Sequence, residues 1–337
     1  MLSARFLSFA SLLLLPFGGL SQTGSVVVGA GYRYPLPISA APGQILNLFV
    51  QGVGAGLTQR VTAAQLPLPA TLAGISVQLT QSLAPRSVPV PLVAVTLASA
   101  HYTVVTVQIP FELAPNCQPL IQVCPSATPI SNTAQLVVSE NGNPGAAVDL
   151  NPVADQVHIA NLCDIDLTAS LGCAPTPLIT HANGTLISSS SPAKPGEEIV
   201  IYAVGLGTTN PAVPTGQAAP SPAPVTQTLQ EVNFEYGPNA GPSRGLPEYL
   251  TECYTPPTCP NTPVFSGLTP GYAGSYQVNF VIPTPPPGTP PCGFQIASNL
   301  TLTLVGSVSF DGAGICVMPL PDATALRSPA AGASSPD

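Results

Sequence analysis

The sequence predicts an all-β chain made of two tandem modules of sandwich or barrel type. Three observations carry this. The first is composition: 43 Pro and 30 Gly among 337 residues. An interior Pro costs a helix about 3 kcal/mol, so long helices and βα-alternating folds are disfavoured. The second is a series of short apolar or alternating runs bounded by turn residues. The third is a strand-and-turn signature that occurs twice.

Taken from the N-terminus, Arg5 and the apolar Phe6 to Leu15 read as the n- and h-regions of a secretory signal, with Gly19-Leu20-Ser21 offering small residues for cleavage after Ser21. The apolar run is shorter than the roughly 20 residues a membrane span needs. No later stretch reads as a span, so the mature chain is expected outside the cytoplasm, secreted or periplasmic. All eight cysteines follow the signal, which suits an oxidising compartment. They fall into four close pairs, Cys117 with Cys124, Cys163 with Cys173, Cys253 with Cys259 and Cys292 with Cys316. Eight cysteines allow 105 connectivities, and sequential structural disulfides are the expectation taken here. The spacings Cys117-x6-Cys124 and Cys253-x5-Cys259 are wider than those of zinc knuckles.

Strands are expected at 45–50, 75–79, 93–97, 105–109, 134–138, 199–204, 232–234, 278–282 and 300–305. The duplication is visible in Pro42-Gly43-Gln44-Ile45-Leu46-Asn47-Leu48-Phe49-Val50-Gln51-Gly52-Val53-Gly54, which aligns without gaps on Pro195-Gly196-Glu197-Glu198-Ile199-Val200-Ile201-Tyr202-Ala203-Val204-Gly205-Leu206-Gly207. Pro-Gly makes a turn, an apolar strand enters the core, and Gly-x-Gly turns the chain where a side chain would clash. Further on, Val105 to Pro110 matches Val278 to Pro283. The Pro-rich segment 237–263 absorbs the extra length of the second copy. The expected organisation is therefore a signal peptide over 1–21, a divergent first copy over 22–150, a junction over 151–191, a second copy over 192–318 and a disordered tail over 319–337.

From Asn183-Gly184-Thr185 through Pro192-Ala193-Lys194-Pro195-Gly196-Glu197 and Ile201 to Gly207, then Pro211, Gly216, the run Gly271 to Asn279 and Ile282-Pro283, the chain resembles the uncharacterised Solibacter-type C-terminal domain of secreted bacterial proteins. The resemblance covers about 178–318, with a weaker copy over about 36–150 that shows Thr103-Val104-Val105-Thr106 where the second has Tyr276-Gln277-Val278-Asn279. It implies an immunoglobulin-like β-sandwich on an exported protein, and no activity.

Searches for chemistry give bland readings. With a net charge of −8 and one Lys, the chain lacks the basic surface that nucleic acids or anionic membranes require. No G-x-S-x-G elbow is present. His101 reads as a strand-end residue, while His158 and His181 fall in the junction and read as solvated. Ser191-Pro192-Ala193-Lys194 spells S-x-x-K but sits in turn-forming sequence. Gly52-x-Gly54-x-Gly56 lacks the Lys-Ser/Thr that closes a phosphate loop. Asp149, Asp155, Asp164 and Asp166 cluster near the junction, where calcium is one option and solvated acidic loops are the default. The pairs Glu197/Glu198 and Glu248/Glu252 read as surface charge. Asn183 and Asn299 head glycosylation sequons. Tyr236, Tyr249, Tyr254, Tyr272 and Tyr276 crowd the second copy, and an exposed row of them would mark a glycan-binding face. The expectation is a non-enzymatic structural or adhesive protein, needing no cofactor, whose partner is a protein or glycan at the cell exterior. An extracellular carbohydrate-binding module is the alternative.

Overall fold

Two separate apolar cores organise the chain in the computed structural model, which describes residues 24–32, 37–84, 87–99, 101–116, 129–165, 176–227, 230–234, 262–284, 299–307 and 309–318. The first lobe carries β1 (Val26–Gly31), β2 (Ser39–Ala40), β3 (Ile45–Gln51), β4 (Val61–Thr62), β5 (Thr71–Leu72), β6 (Ile75–Gln81), β7 (Val88–Val90), β8 (Leu92–Leu97), β9 (Thr103–Gln108), β10 (Ala134–Glu140), β11 (Asn143–Pro144) and β12 (Val148–Pro152). The second carries β13 (His158–Ile159), the one-turn α1 (Leu162–Ile165), β14 (Ile179–His181), β15 (Glu198–Val204), β16 (Thr209–Asn210), β17 (Val225–Thr226), β18 (Gln230–Phe234), β19 (Phe265–Leu268), β20 (Tyr276–Val281), β21 (Leu300–Leu304) and β22 (Phe310–Ala313). The described chain is thus nearly all β, as the sequence predicts, and its sheets stack in a β-sandwich-like manner.

One sheet of the first lobe runs β1-β3-β9-β8-β4, and the other runs β2-β12-β10-β6-β5 with β11 and β7 attached. Alternation explains their packing. Leu46, Leu48 and Val50 of β3 and Val105 and Val107 of β9 meet Ile75, Val77 and Leu79 of β6 and Leu136 and Val138 of β10 in one core. Each such side chain contributes about 1.5–3 kcal/mol when fully buried. In the second lobe the larger sheet runs β13-β15-β20-β19-β17-β16, with β14 also on β15, and the smaller runs β18-β21-β22. Ile199, Ile201 and Ala203 of β15 and Val278 and Phe280 of β20 pack against Leu300, Leu302 and Leu304 of β21.

The two lobes share their hydrogen-bond register at the aligned positions. Ile45 faces Gln108, and its counterpart Glu198 faces Val281. Gly43 N–H donates to Ile109 O, and Gly196 N–H donates to Ile282 O. The paired glycines Gly43/Gly196, Gly52/Gly205 and Gly54/Gly207 all take left-handed φ between 72° and 81°, where a Cβ is strained. The first strand is shared too. Val26 opposes Gln51 as His158 opposes Val204, and Val27 opposes Val50 as Ile159 opposes Ala203. In the first lobe β1 continues through a bulge. After the matching place in the second, Leu162–Ile165 forms α1, and β14 pairs with β15 further along the same edge. Two strands of the second lobe thus lie inside 151–191, which by sequence reads as a junction.

The Gly-x-Gly turn is tied to the second anchor in both lobes. Thr103 Oγ1 donates to Val53 O at 2.7 Å, and the buried Tyr276 OH donates to Gly207 O. Burial pushes the Tyr276 phenol above its ordinary range, so it stays a neutral donor. Tyr276→Phe leaves a buried carbonyl unsatisfied and is expected to cost about 1–2 kcal/mol, read as a lower urea midpoint.

Candidate functional site

The polar groups that converge in this molecule do so where the lobes meet and along the first strand of the second lobe. β13 is held on both edges. Val204 and Ala203 of β15 pair with it on one edge. On the other, Ser309 Oγ accepts from Val157 N–H at 2.7 Å and Asp311 Oδ2 accepts from Ile159 N–H at 2.8 Å. One step earlier, Ser307 Oγ donates to Asp155 Oδ1 at 2.5 Å. These alternate residues form a side-chain rung that fastens the incoming chain to the small sheet. Desolvation, partly offset by the Ser307 hydrogen bond, lifts the Asp155 carboxyl above its usual value.

His158 projects from this strand towards the first lobe. Its Nε2 lies 2.7 Å from Asp164 Oδ2 and its Nδ1 lies 3.0 Å from Asp311 Oδ2. Only an imidazolium can donate from both nitrogens. Burial alone pushes the ring down, but the hydrogen bonds and charges of Asp164 and Asp311 outweigh it and raise His158 to about 9. Backbone N–H groups of Asn161 and Ile159 anchor the same two carboxylate oxygens. The ring stacks on Tyr32 at the end of β1, with centroids 3.6 Å apart and planes within 10°. Tyr32 OH donates to Ile45 O at 2.9 Å and accepts from Gln44 Nε2 at 2.8 Å. Burial raises the Tyr32 phenol as well. The result is a cation on an aromatic face between two lobes.

A second contact joins the lobes around Gly216. Leu68 N–H donates to Gly216 O at 2.9 Å, and Gly216 N–H donates to Gln108 Oε1 at 2.7 Å. Thr215 Oγ1 accepts from Phe111 N–H and donates to Glu112 Oε2. The β19–β20 hairpin also reaches across, where a Cβ on Gly274 would stand 2.7 Å from Gly43 O. Gly216 and Gly274, two members of the motif string in the sequence, therefore serve close approach between lobes.

His181, on β14, is the other structured histidine. Its Nδ1 is 2.5 Å from Glu197 Oε1 and its Nε2 is 3.1 Å from Ser191 Oγ, the atom order of a Ser–His–acid relay. Two facts set that reading aside. Nε2 also faces Ser191 O at 3.2 Å, and Pro192 has no N–H to offer an oxyanion after the serine. More telling is the first lobe. Gln44, aligned with Glu197, accepts from Ala41 N–H through Oε1 and grips Tyr32 through Nε2. Glu197 likewise accepts from Lys194 N–H through Oε2 and grips His181 through Oε1. The Glu197–His181 pair is thus the second lobe's version of a turn-to-strand clasp. Desolvation opposes it, yet the His181 and Lys194 contacts hold the Glu197 carboxyl below its usual value.

The remaining sequence candidates disperse. His158 and His181 are not the solvated residues the sequence predicts; their side chains are 21% and 13% exposed because both lie on strands with acidic partners. His101 is exposed in the β8–β9 turn. Asp149 accepts from Gln135 Nε2, Asp155 from Ser307 and Asn161 N–H meets Asp164, so these three carboxylates serve different partners; Asp166 lies outside the described residues. Glu198 accepts from Asn279 Nδ2 on the opposite face from Glu197. Ser191 to Lys194 is turn, not helix. Asn183 is exposed, whereas Asn299 is buried with both amide atoms bonded to Ile315. Tyr272 is 63% exposed and Tyr276 is fully buried. Cys163 and Cys316 are each disulfide-bonded. Cys117, Cys124, Cys173, Cys253, Cys259 and Cys292 lie outside the described residues, as do the 1–21 leader, the 319–337 tail, Tyr236, Tyr249, Tyr254, Glu248 and Glu252. Among the described residues no helix is long and apolar enough to cross a membrane. No family model matches the chain, and no curated protein matches it.

Proposed function

We propose that this chain is an exported, non-enzymatic structural or adhesive protein made of two tandem immunoglobulin-like β-sandwich modules stabilised by sequential disulfides. The observation that carries the reading is the shared register of the two lobes together with the buried contact between them. A duplicated module joined through stacked rings and backbone hydrogen bonds is suited to holding loops at a set spacing. The 42–54 and 195–207 strings supply the turns, and the resemblance to the Solibacter-type domain supports export. The partner is a protein or glycan at the cell exterior. A carbohydrate-binding role is the second reading, and exposed Tyr272, set between Gly271 and Gly274, is the platform that favours it.

The test begins with fractionation and N-terminal sequencing of the protein from its source cells. Export with a new N-terminus at Gln22 is expected, and cytoplasmic retention with reduced cysteines contradicts the reading. Beads coated with the mature protein should bind surface preparations of the same cells. A glycan array separates the second reading: binding lost in Tyr272→Ala would favour it. A fluorophosphonate probe is expected to leave Ser191 unlabelled, and labelling that disappears in His181→Asn would replace the scaffold by a hydrolase.

A further inference from the structure

We propose that His158 is a proton-gated latch between the two lobes. While both ring nitrogens carry hydrogen, Asp164 and Asp311 hold the imidazolium flat against Tyr32; loss of one proton releases the ring and lets the lobes swing about the Gly216 contact.

Among the described residues the lobes meet at the end of β1 and around Gly216, where the tip of the β19–β20 hairpin also approaches Gly43. At the first stands the Tyr32–His158 stack, and at the second the set made by Leu68, Gln108, Phe111, Thr215 and Gly216. The ring is oriented only by its two carboxylates, which reach it from opposite edges at 2.7 and 3.0 Å. A neutral imidazole has one N–H and one lone pair. Whichever tautomer forms, a lone pair then faces a carboxylate oxygen at hydrogen-bond distance, and repulsion replaces attraction on that edge. The carboxylates themselves cannot follow the ring, because the N–H groups of Asn161 and Ile159 fix them. The ring therefore turns, and the stack, which needs near-parallel planes, is lost.

Among the described residues the charged and titratable groups around the ring are few. α1 presents Asp164 and β22 presents Asp311. The residue just past β1 is Tyr32, whose phenol burial keeps neutral. The loop before β13 presents Asp155, engaged with Ser307. On β15 the residue opposite His158 is Val204, and the Glu197–His181 clasp lies at the strand's far end. At the second contact the charged group is Glu112, bonded to Thr215, so that contact does not depend on the histidine. Because His158 is raised to about 9, the latch is closed at neutral pH and opens in alkali.

Small-angle scattering of the full oxidised chain from pH 7 to 10.5, with circular dichroism on the same samples, tests this. The wild type is expected to grow in maximum dimension with a midpoint near 9 and unchanged strand signal. His158→Gln is expected to be extended already at pH 7 and to change no further. Should that variant fail to fold, Tyr32→Leu removes the stack while leaving the carboxylate clamp, and it too should be extended at pH 7. Unchanged dimensions across the range overturn the proposal. So does a transition that persists in His158→Gln, since another group would then be the switch. Loss of strand signal together with the expansion also overturns it, as unfolding and not opening would be the event.

Discussion

Gly205→Ala is expected to be the most damaging single methyl that can be added to the second lobe. Gly205 has φ +76°, and a Cβ there would stand 2.0 Å from Gln156 O. The clash is with backbone, and that backbone is itself tied down, because Gln156 N–H donates to Gly205 O at 2.8 Å. Neither side can give without breaking the approach of the chain to β13. Gly196→Ala provides the control. Gly196 has φ +78° but open space around its missing Cβ, so it reads the conformational cost alone, about 1 kcal/mol. Gly205→Ala adds the steric cost and is expected to lose roughly 3–5 kcal/mol. Urea midpoints of the two variants against wild type decide the matter. Equal losses would show that the approach of residue 156 to the turn contributes nothing.

The second large effect is in pH. His158 sits at an ordinary 6.5 when unfolded and at about 9 in the folded chain. The folded state therefore holds this proton more tightly, and the imidazolium stabilises the fold in full below about pH 6.5. As pH rises from there the unfolded chain releases the proton first, and the advantage shrinks until it is gone above about pH 9. A shift of this size corresponds to about 3 kcal/mol at 1.36 kcal/mol per unit. The ring is 21% exposed, so solvent screening takes away little of it. Denaturant titrations at pH 6.5, 8 and 10 should show a falling midpoint in the wild type and a flat one in His158→Gln. The variant is expected to start lower at pH 6.5, because two carboxylates are left facing each other without a cation. A wild-type midpoint that stays level over this range would remove the imidazolium from the account.

How far the sequence carries is clearest at particular residues. Each apolar run from 45–50 to 300–305 is found in a strand, because period-two alternation is a local property that survives any tertiary arrangement. The glycines of the duplicated turns were legible for the same reason: a positive φ is required at one residue, and only glycine takes it without strain. Val26–Gly31 and the strands at 158–159 and 179–181 were not singled out. The first contains two glycines and carries a bulge between Val27 and Gly29, and the others are two or three residues long, too short for periodicity to register. Their identity comes from pairing with β3 and β15. The structured surroundings of the histidines are hidden on the same ground, since neither His158 nor His181 lies beside its acidic partner in a readable pattern. One signal was available for His181: the alignment of Gln44 with Glu197 marks a polar residue after each Pro-Gly turn.

Strand content, the placing of the tight turns and the duplication follow from the order of residues alone, since each depends on spacings of a few positions and on what glycine and proline permit. The meetings of Tyr32 with His158 and of Gln108 with Gly216 were decided only when the lobes came together, and that of His158 with Asp311 only when β13 met β22 within the second lobe. These contacts rest on single polar or aromatic residues that lie far apart along the chain, and burial, by removing water from between them, is what turns their distance and charge into a joint.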